Sequence, residues 1–436
     1  MIKFKNNLLV KNILILLISG AVAKVIGMAG KIIYTRVAGV GIVGLYTLIT
    51  PTLMLIITLT QFSFPISLSK LSAEGKHQDE DLLKSAYALG FLINFFLIII
   101  LLLSAKTIAS LLHNEELWKA LMSIAIIIPF ITISSIQRGF LHGKENMLPA
   151  SITNVTEEII KIVLIIGILP LAVAKGSISA IIFIILFNVI TEIVSIIIME
   201  RVIKKRYVSK TRGTIKGKII KEITKISLPT TSVRLISSVG FFLEPIILTN
   251  VLLKTGYSSN YITMEYGIVS SYIIPLLSIP SFFSMSIASA LLPNITKAYA
   301  NKRYKEFNRK LLKLMFLSML VGLVCLSVIM IFPTQILKVI YNVNFGVNYI
   351  YLIGPFFLVL YMQPTLSAAM QAMNKTSKLF WVSLISIIIK YVVLIFFGLA
   401  GNGMNSLIYS LITGIIVTTA LVLFIVLKEL NKRTVN

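Results

Sequence analysis

Five cations lie where hydrocarbon would be expected. Arg234, Lys24, Lys31, Lys161 and Lys390 each fall inside an apolar run of a 436-residue chain. A bare cation at mid-membrane costs about 2.5–3.5 kcal/mol even on the mildest insertion scale. A chain that keeps five is expected to line a wet cavity with them and to hold something anionic there. Arg234 suits phosphate oxygens best, because its guanidinium is a planar fork of donors. Lys24 and Lys31 share one helical stripe with Gly20 and Gly27, at i, i+4, i+7 and i+11. Small residues on such a stripe allow close helix approach or leave cavity volume. For Lys31 a second reading stays open, snorkelling to the interface.

Two further sets of polar residues accompany them. In the seventh apolar run, Thr230, Arg234, Ser237, Phe241 and Glu244 spiral along a mostly polar face. Ten residues rise about 15 Å on a helix, so Arg234 and Glu244 cannot pair directly and each is left to a partner on another segment. In the fifth run, Asn154, Glu157, Glu158 and Lys161 fall at i, i+3, i+4 and i+7. Glu157 and Lys161 stand in the favourable order for an i,i+4 ion pair and are expected to form one. Glu158 and Glu192 are candidates to carry a coupling proton or Na⁺, or else are neutral acids hydrogen-bonded between helices. Glu244 and Lys390 complete the set of structural or coupling charges.

Catalytic constellations are missing from this reading. No histidine falls inside an apolar run, Cys325 is the single cysteine, and no serine or threonine has a base at recognisable spacing. No enzyme activity, metal or cofactor is expected. Cys325 reads as a small buried hydrophobe, and His77, His113 and His142 as solvated residues at or near loops.

Composition dictates what must position these groups. The chain is 57% hydrophobic and 13% charged, with a mean hydropathy of +0.94, against roughly 25% charged in a soluble domain. Apolar runs of about 20 residues, each long enough to cross a bilayer, recur from end to end. Segmentation gives twelve spans near 12–35, 42–69, 85–105, 120–141, 150–172, 178–199, 226–252, 264–294, 312–333, 347–372, 379–399 and 404–427. The expected fold is an all-α polytopic membrane protein. The first run exceeds a signal-peptide core and ends at no clear cleavage site, so it reads as a retained span.

The net charge of +25 distributes as a topology signal. With both termini on one side, that side carries 30 of the 41 Lys and Arg, the other side 6, and the spans 5. The rich side is expected to be cytoplasmic, and nucleic-acid binding is not. The longest polar stretch, Arg201 to Lys225, splits the chain into lobes at 1–212 and 213–436. Ile159-Ile160-Lys161 recurs as Ile388-Ile389-Lys390, Gly41-Ile42-Val43 as Gly267-Ile268-Val269, and Pro129 as Pro355. Six spans per half give the halves the same orientation, as parallel repeats, with a substrate site expected between them near mid-depth. Prolines at 51, 65, 129, 229, 245, 275, 280, 355 and 364 interrupt or end spans; static kinks and kinks serving lobe movement both remain open.

Several strings resemble the stage V sporulation protein B-like family of the multidrug/oligosaccharidyl-lipid/polysaccharide (MOP) exporter superfamily, related to lipid II and O-antigen flippases. They are Lys24-Val-Ile-Gly27, Gly44-Leu45-Tyr46 and Phe64-Pro65-Ile-Ser-Leu-Ser-Lys70; Arg138-Gly139-Phe140 with Gly143, Asn146 and Pro149; and Ser227-Leu-Pro-Thr-Thr231 with Arg234, Phe242, Glu244 and Pro245. The resemblance implies two six-helix lobes around a MATE-like V-shaped cavity. It implies an undecaprenyl-pyrophosphate-linked sugar, peptidoglycan or polysaccharide precursor as cargo, in cell-wall or spore-cortex synthesis at the plasma membrane. Lys24 and Arg234 match the family's basic positions, with Lys24 standing where Arg is common. The family often has fourteen helices against twelve here, which leaves the place of a lipid tail open. Implied partners are a lipid-linked oligosaccharide, membrane lipids and a coupling H⁺ or Na⁺. Two alternatives stand beside this: an ion-coupled multidrug antiporter of the same superfamily, and a non-transporting scaffold for cell-wall assembly.

Overall fold

The computed structural model describes residues 2–208, 213–373 and 375–434, with side chains described except at 2–14, 16, 17, 286–294, 376 and 431–434. Every regular element among them is a helix. In chain order they are α1 (Ile2–Gln61), α2 (Phe64–Glu74), α3 (Asp79–Leu111), α4 (Leu117–Gly143), α5 (Leu148–Gly167), α6 (Leu169–Ala174), α7 (Ser177–Arg206), α8 (Gly217–Lys254) and α9 (Ser259–Gly267). There follow a π-turn (Ile268–Ile273), α10 (Ile274–Leu277), α11 (Ile279–Ala300), α12 (Tyr304–Ile331), α13 (Pro333–Tyr341), α14 (Val347–Leu360), α15 (Gln363–Ala372), α16 (Thr376–Leu399) and α17 (Asn405–Thr434).

Among the described residues, nine helices are long and apolar enough to cross a membrane, or ten when the bent pair Ser259–Leu277 and Ile279–Met285 counts as one span. The twelve expected segments each lie on helical stretches of the chain. The counts differ for two reasons. The first two segments join into one run, Ile18–Glu74, within which Gly39 (φ 73°, ψ 166°) breaks α1 where only glycine is at ease. The fifth segment, α5, is 20 residues long and carries Glu157, Glu158 and Lys161, which makes it too polar to count by composition alone. The eighth expected span, 264–294, is not straight. Its halves, Ser259–Leu277 and Ile279–Met285, meet at 45° across Ser278, next to Pro280, as expected where proline withdraws a backbone donor.

By packing, the chain divides into units Met1–Phe242 and Leu243–Asn436. The packing boundary thus lies within α8, past the basic linker at 212/213. The reason is that the first turns of α8 bury Ile219 and Ile223 among Phe64, Leu68, Leu82, Phe140 and Met199. Polar contacts reinforce this. Asp81 accepts from the Thr214 backbone at 2.6 Å and from Lys216 at 2.5 Å. His77 binds Glu222 at 2.7 Å, which corrects its reading as a solvated loop residue. Lys210 and Arg212 of the linker lie outside the described residues.

In the same unit, α2 and α4 approach closely enough that a Cβ on Gly139 would lie 2.8 Å from the Phe64 carbonyl oxygen, and one on Gly143 2.5 Å from that of Ser69. Two of the strings that carry the family resemblance are therefore a single helix contact. In the C-terminal unit, Gly322 of α12 admits the Tyr361 ring, whose hydroxyl donates to the Leu277 carbonyl at 2.6 Å. Its core gathers Phe307, Leu311, Leu366, Met370 and Val426.

Candidate functional site

The stripe on α1 faces α5 at Gly27, with Gly30 beside it. A Cβ on Gly27 would lie 2.9 Å from Glu158 Oε2, and one on Gly30 3.1 Å from Ile162. Gly27 therefore serves close approach and brings an acid against the basic stripe, whereas a Cβ on Gly20 would meet nothing within 4 Å. Lys24 is exposed and Lys31 half-buried on this helix.

Arg234 lies at the middle of α8, 17 residues after its first residue, about 26 Å along the axis. It is exposed, and its Nη2 donates to Gln61 Oε1 at 2.8 Å. This is one rung of a polar seam between α8 and the end of α1 with α2. Ser227 donates to Ser67 at 2.9 Å and Thr231 to Ser63 at 3.0 Å, while Thr58 and Ser238 share a bond of 2.8 Å. As the α8 number rises, its partner's number falls, so the segments run antiparallel. The α8 members stand at i, i+4, i+7 and i+11, one stripe along the helix. The face expected from sequence, through Thr230 and Ser237, is rotated by one residue from it. Between α1 and α2, Phe62 and Ser63 take positive φ of 42° and 49°. Such backbone costs on the order of 1–3 kcal/mol per residue, and here the fully buried Ser63 and Phe64 hold it in place.

A second cluster joins α4, α5 and α7. Arg138 donates to both Asn154 and Glu157, and Ser195 donates to Glu157 at 2.5 Å. The expected Glu157–Lys161 pair is therefore not the one formed. Arg138 reaches Glu157 from the neighbouring helix with a fork that also satisfies Asn154, whereas Lys161 faces Glu158 at 3.7 Å. Glu158, a candidate for a coupling proton or Na⁺ from the sequence, has a cation at i+3. Glu192 stands one turn before Ser195 on α7, within the field of Glu157 and Arg138 and hydrogen-bonded by Ser134; its Oε2 is buried and, among the described residues, has no hydrogen-bond partner. In the sequence Arg138 stands out only as part of the family-like string Arg138-Gly139-Phe140. Its position five residues inside the end of α4 was the signal that could have marked it as intramembrane.

In the C-terminal unit, Lys390 of α16 donates to Glu244 of α8, and Tyr266 donates to the other carboxylate oxygen at 3.2 Å. Gly414 of α17 faces the Lys390 stem at 3.7 Å. This charge is thus spent on an internal pair.

The cations therefore separate into two kinds. Arg138, Lys161 and Lys390 each meet a carboxylate. Arg234 meets an amide, and among the described residues no carboxylate pairs with it. An amide orients a guanidinium without cancelling its charge. Among the described residues, no group of three or more His, Cys, Asp or Glu could hold a metal ion.

The fold is that of MATE transporters. A multidrug resistance MATE family transporter of the MOP superfamily, solved in an inward-facing conformation, superposes with a TM-score of 0.71 at 15% identity, over 94% of this chain and 95% of that one. A MOP superfamily transporter from Pyrococcus furiosus, described as having a binding pocket of reversed polarity that suggests a different function, superposes with a TM-score of 0.63 at 16% identity, over 98% of this chain and 96% of that one. At these identities the likeness shows an all-helical, polytopic MATE-type fold.

The chain belongs to the family described as polysaccharide biosynthesis protein, which it matches over residues 9–299; residues 266–396 match the MatE family. It is similar to stage V sporulation protein B of Bacillus subtilis (strain 168), with 29% identity over 94% of this chain and 82% of that protein. It is also similar to sporulation protein YkvU of the same organism, with 25% identity over 95% of this chain and 94% of that protein.

Proposed function

We propose that the chain moves an undecaprenyl-pyrophosphate-linked sugar, or a related peptidoglycan or polysaccharide precursor, across the plasma membrane by alternating access. In this reading Arg234, with Lys24 and Lys31, holds the anionic headgroup, both termini are cytoplasmic, and two lobes of helices are the moving parts. The observation that carries it is the state of Arg234: a mid-helix guanidinium, exposed and bound to Gln61 rather than to a carboxylate. An arginine facing lipid there would be costly, so its open side is wet, and a diphosphate matches its fork. The family's link to polysaccharide biosynthesis supports a saccharide on the same lipid.

Reconstitution into vesicles tests this. A labelled undecaprenyl-diphosphate saccharide should cross in the presence of the protein, a neutral lipid of the same tail should not, and Arg234→Ala should slow crossing at least tenfold. Equal rates for the neutral and the diphosphate lipid would remove the reading.

An ion-coupled antiporter has one observation in its favour: the buried, unbonded Oε2 of Glu192. Cation-dependent export of a lipophilic cation, with no crossing of the diphosphate lipid, would decide for it.

A further inference from the structure

We propose that the end of the C-terminal unit around Tyr257, Tyr261 and Glu265 is a saccharide contact site, which takes the neutral sugar portion of the cargo and not its phosphates. It rests on the reading that the cargo is a lipid-linked saccharide. The rings of Tyr257 and Tyr261 stack with centroids 5.3 Å apart and planes at 23°. Tyr257 is the fixed ring. Its hydroxyl donates to the Gly401 carbonyl at 3.1 Å, and Gly403, at φ 54°, approaches so closely that a Cβ there would lie 2.8 Å from that hydroxyl. Tyr261 lies over it and is 38% exposed. One turn further along α9, Glu265 accepts from the Tyr349 hydroxyl at 2.6 Å, which fixes its carboxylate while leaving it half-exposed. Asn260, in the first turn of α9, and Asn402, on the loop before α17, flank the stack in sequence and are exposed.

This arrangement matches the chemistry of a pyranose. A sugar ring presents an apolar C–H face and an edge of hydroxyls. An aromatic face takes the first; a carboxylate and amides take the second. Ligand sites in general combine aromatic walls with a few placed polar groups. Isolated tyrosines at this level would be explained by the interfacial aromatic belt. That explanation does not cover a face-to-face pair whose lower ring is held by another loop's backbone, nor the oriented carboxylate beside it. Charge narrows the ligand further. Lys254 is the one cation in 250–265, and 342–349 and 400–404 contain none, so a phosphate finds no fork there while a neutral sugar loses nothing. By the cation bias this end lies on the side away from the basic linker, where a translocated headgroup would arrive.

The test uses the full chain in nanodiscs and saturation-transfer NMR with two soluble probes, the disaccharide of N-acetylglucosamine and maltose. Saturable transfer to ring protons of at least one is expected, with Kd on the order of 1 mM. Tyr261→Phe should retain it, while Tyr261→Leu and Glu265→Gln each reduce it about fivefold. No transfer from the wild type, or equal transfer from wild type and Tyr261→Leu, overturns the site. Vesicle crossing separates this from the broader reading: crossing without sugar contact overturns this site alone, and sugar contact without crossing leaves the site standing and removes the transport.

Discussion

Lys390 of α16 donates to Glu244 of α8, with Tyr266 on the second carboxylate oxygen. The repeat equates Lys390 with Lys161, yet Lys161 meets Glu158 on its own helix at 3.7 Å. Two lysines alike in sequence thus neutralise carboxylates by different routes, and neither route leaves a free charge for cargo. That contrast makes Arg234 stand out, and it shapes the predictions.

Removing one member of a buried pair costs more than removing both, because the survivor is left charged and unpaired, about 3–5 kcal/mol in a protein interior. Glu244→Gln should therefore lower the apparent melting temperature of the purified protein strongly, and Glu244→Gln with Lys390→Met should recover most of the loss. A double variant as unstable as the single would mean that the pair is not what holds α8 to α16.

The pairing of Glu157 predicts which charge reversal rescues. Glu157→Arg with Arg138→Glu should restore part of the stability lost by either change. Glu157→Lys with Lys161→Glu should not, since Lys161 faces Glu158. Expression level and thermal stability of the four single and two double variants check this.

Arg234→Ala should lower the rate of diphosphate-lipid crossing at least tenfold, which is about 1.4 kcal/mol, and Arg234→Lys should lose less, since the charge stays while the fork is lost. Gln61→Leu should also slow crossing, because it removes the amide that aims the guanidinium. Unchanged crossing in Gln61→Leu at normal membrane levels would show that this contact does not position Arg234.

Each hydroxyl rung of the seam should be weak on its own, about 0.6 kcal/mol for an interhelical bond in a membrane. Thr231→Val is expected to shift stability only slightly. Ser67→Leu should cost far more, because Ser67 is fully buried and a larger side chain forces the helices apart. Comparable melting temperatures for the two variants would contradict the close seam.

With Cys325 replaced by alanine, cysteines at Lys218 and Asn260 should label from opposite sides of the membrane, Lys218 from the cytoplasm, because cation bias sets orientation. In the same vesicles, if Glu192 carries a coupling proton, Glu192→Gln should leave crossing insensitive to an uncoupler that collapses it in the wild type.

Several features of this protein are settled by local composition and need no fold. Spanning segments follow from apolar run length, because about 20 apolar residues cross a bilayer wherever they stand. The polar character of α5 and α8, and the glycine stripe on α1, are likewise one-helix properties set by a period of 3.6 residues. The family strings at Phe64-Pro65 and Arg138-Gly139-Phe140 were legible as strings, but only the structure made them one contact, with Gly139 against the Phe64 carbonyl. Partner choice belongs to tertiary structure for the same reason. Glu157 has a good partner four residues away on its own helix, yet Arg138 on α4 takes it, because a guanidinium can bind Asn154 and Glu157 together. The seam face of α8 is one residue from the face that polarity suggested, since a helix with polar groups all round its middle does not reveal which stripe a neighbour will meet. Sequence period fixes which residues share a face; which face is buried, and against whom, is decided only when the helices pack.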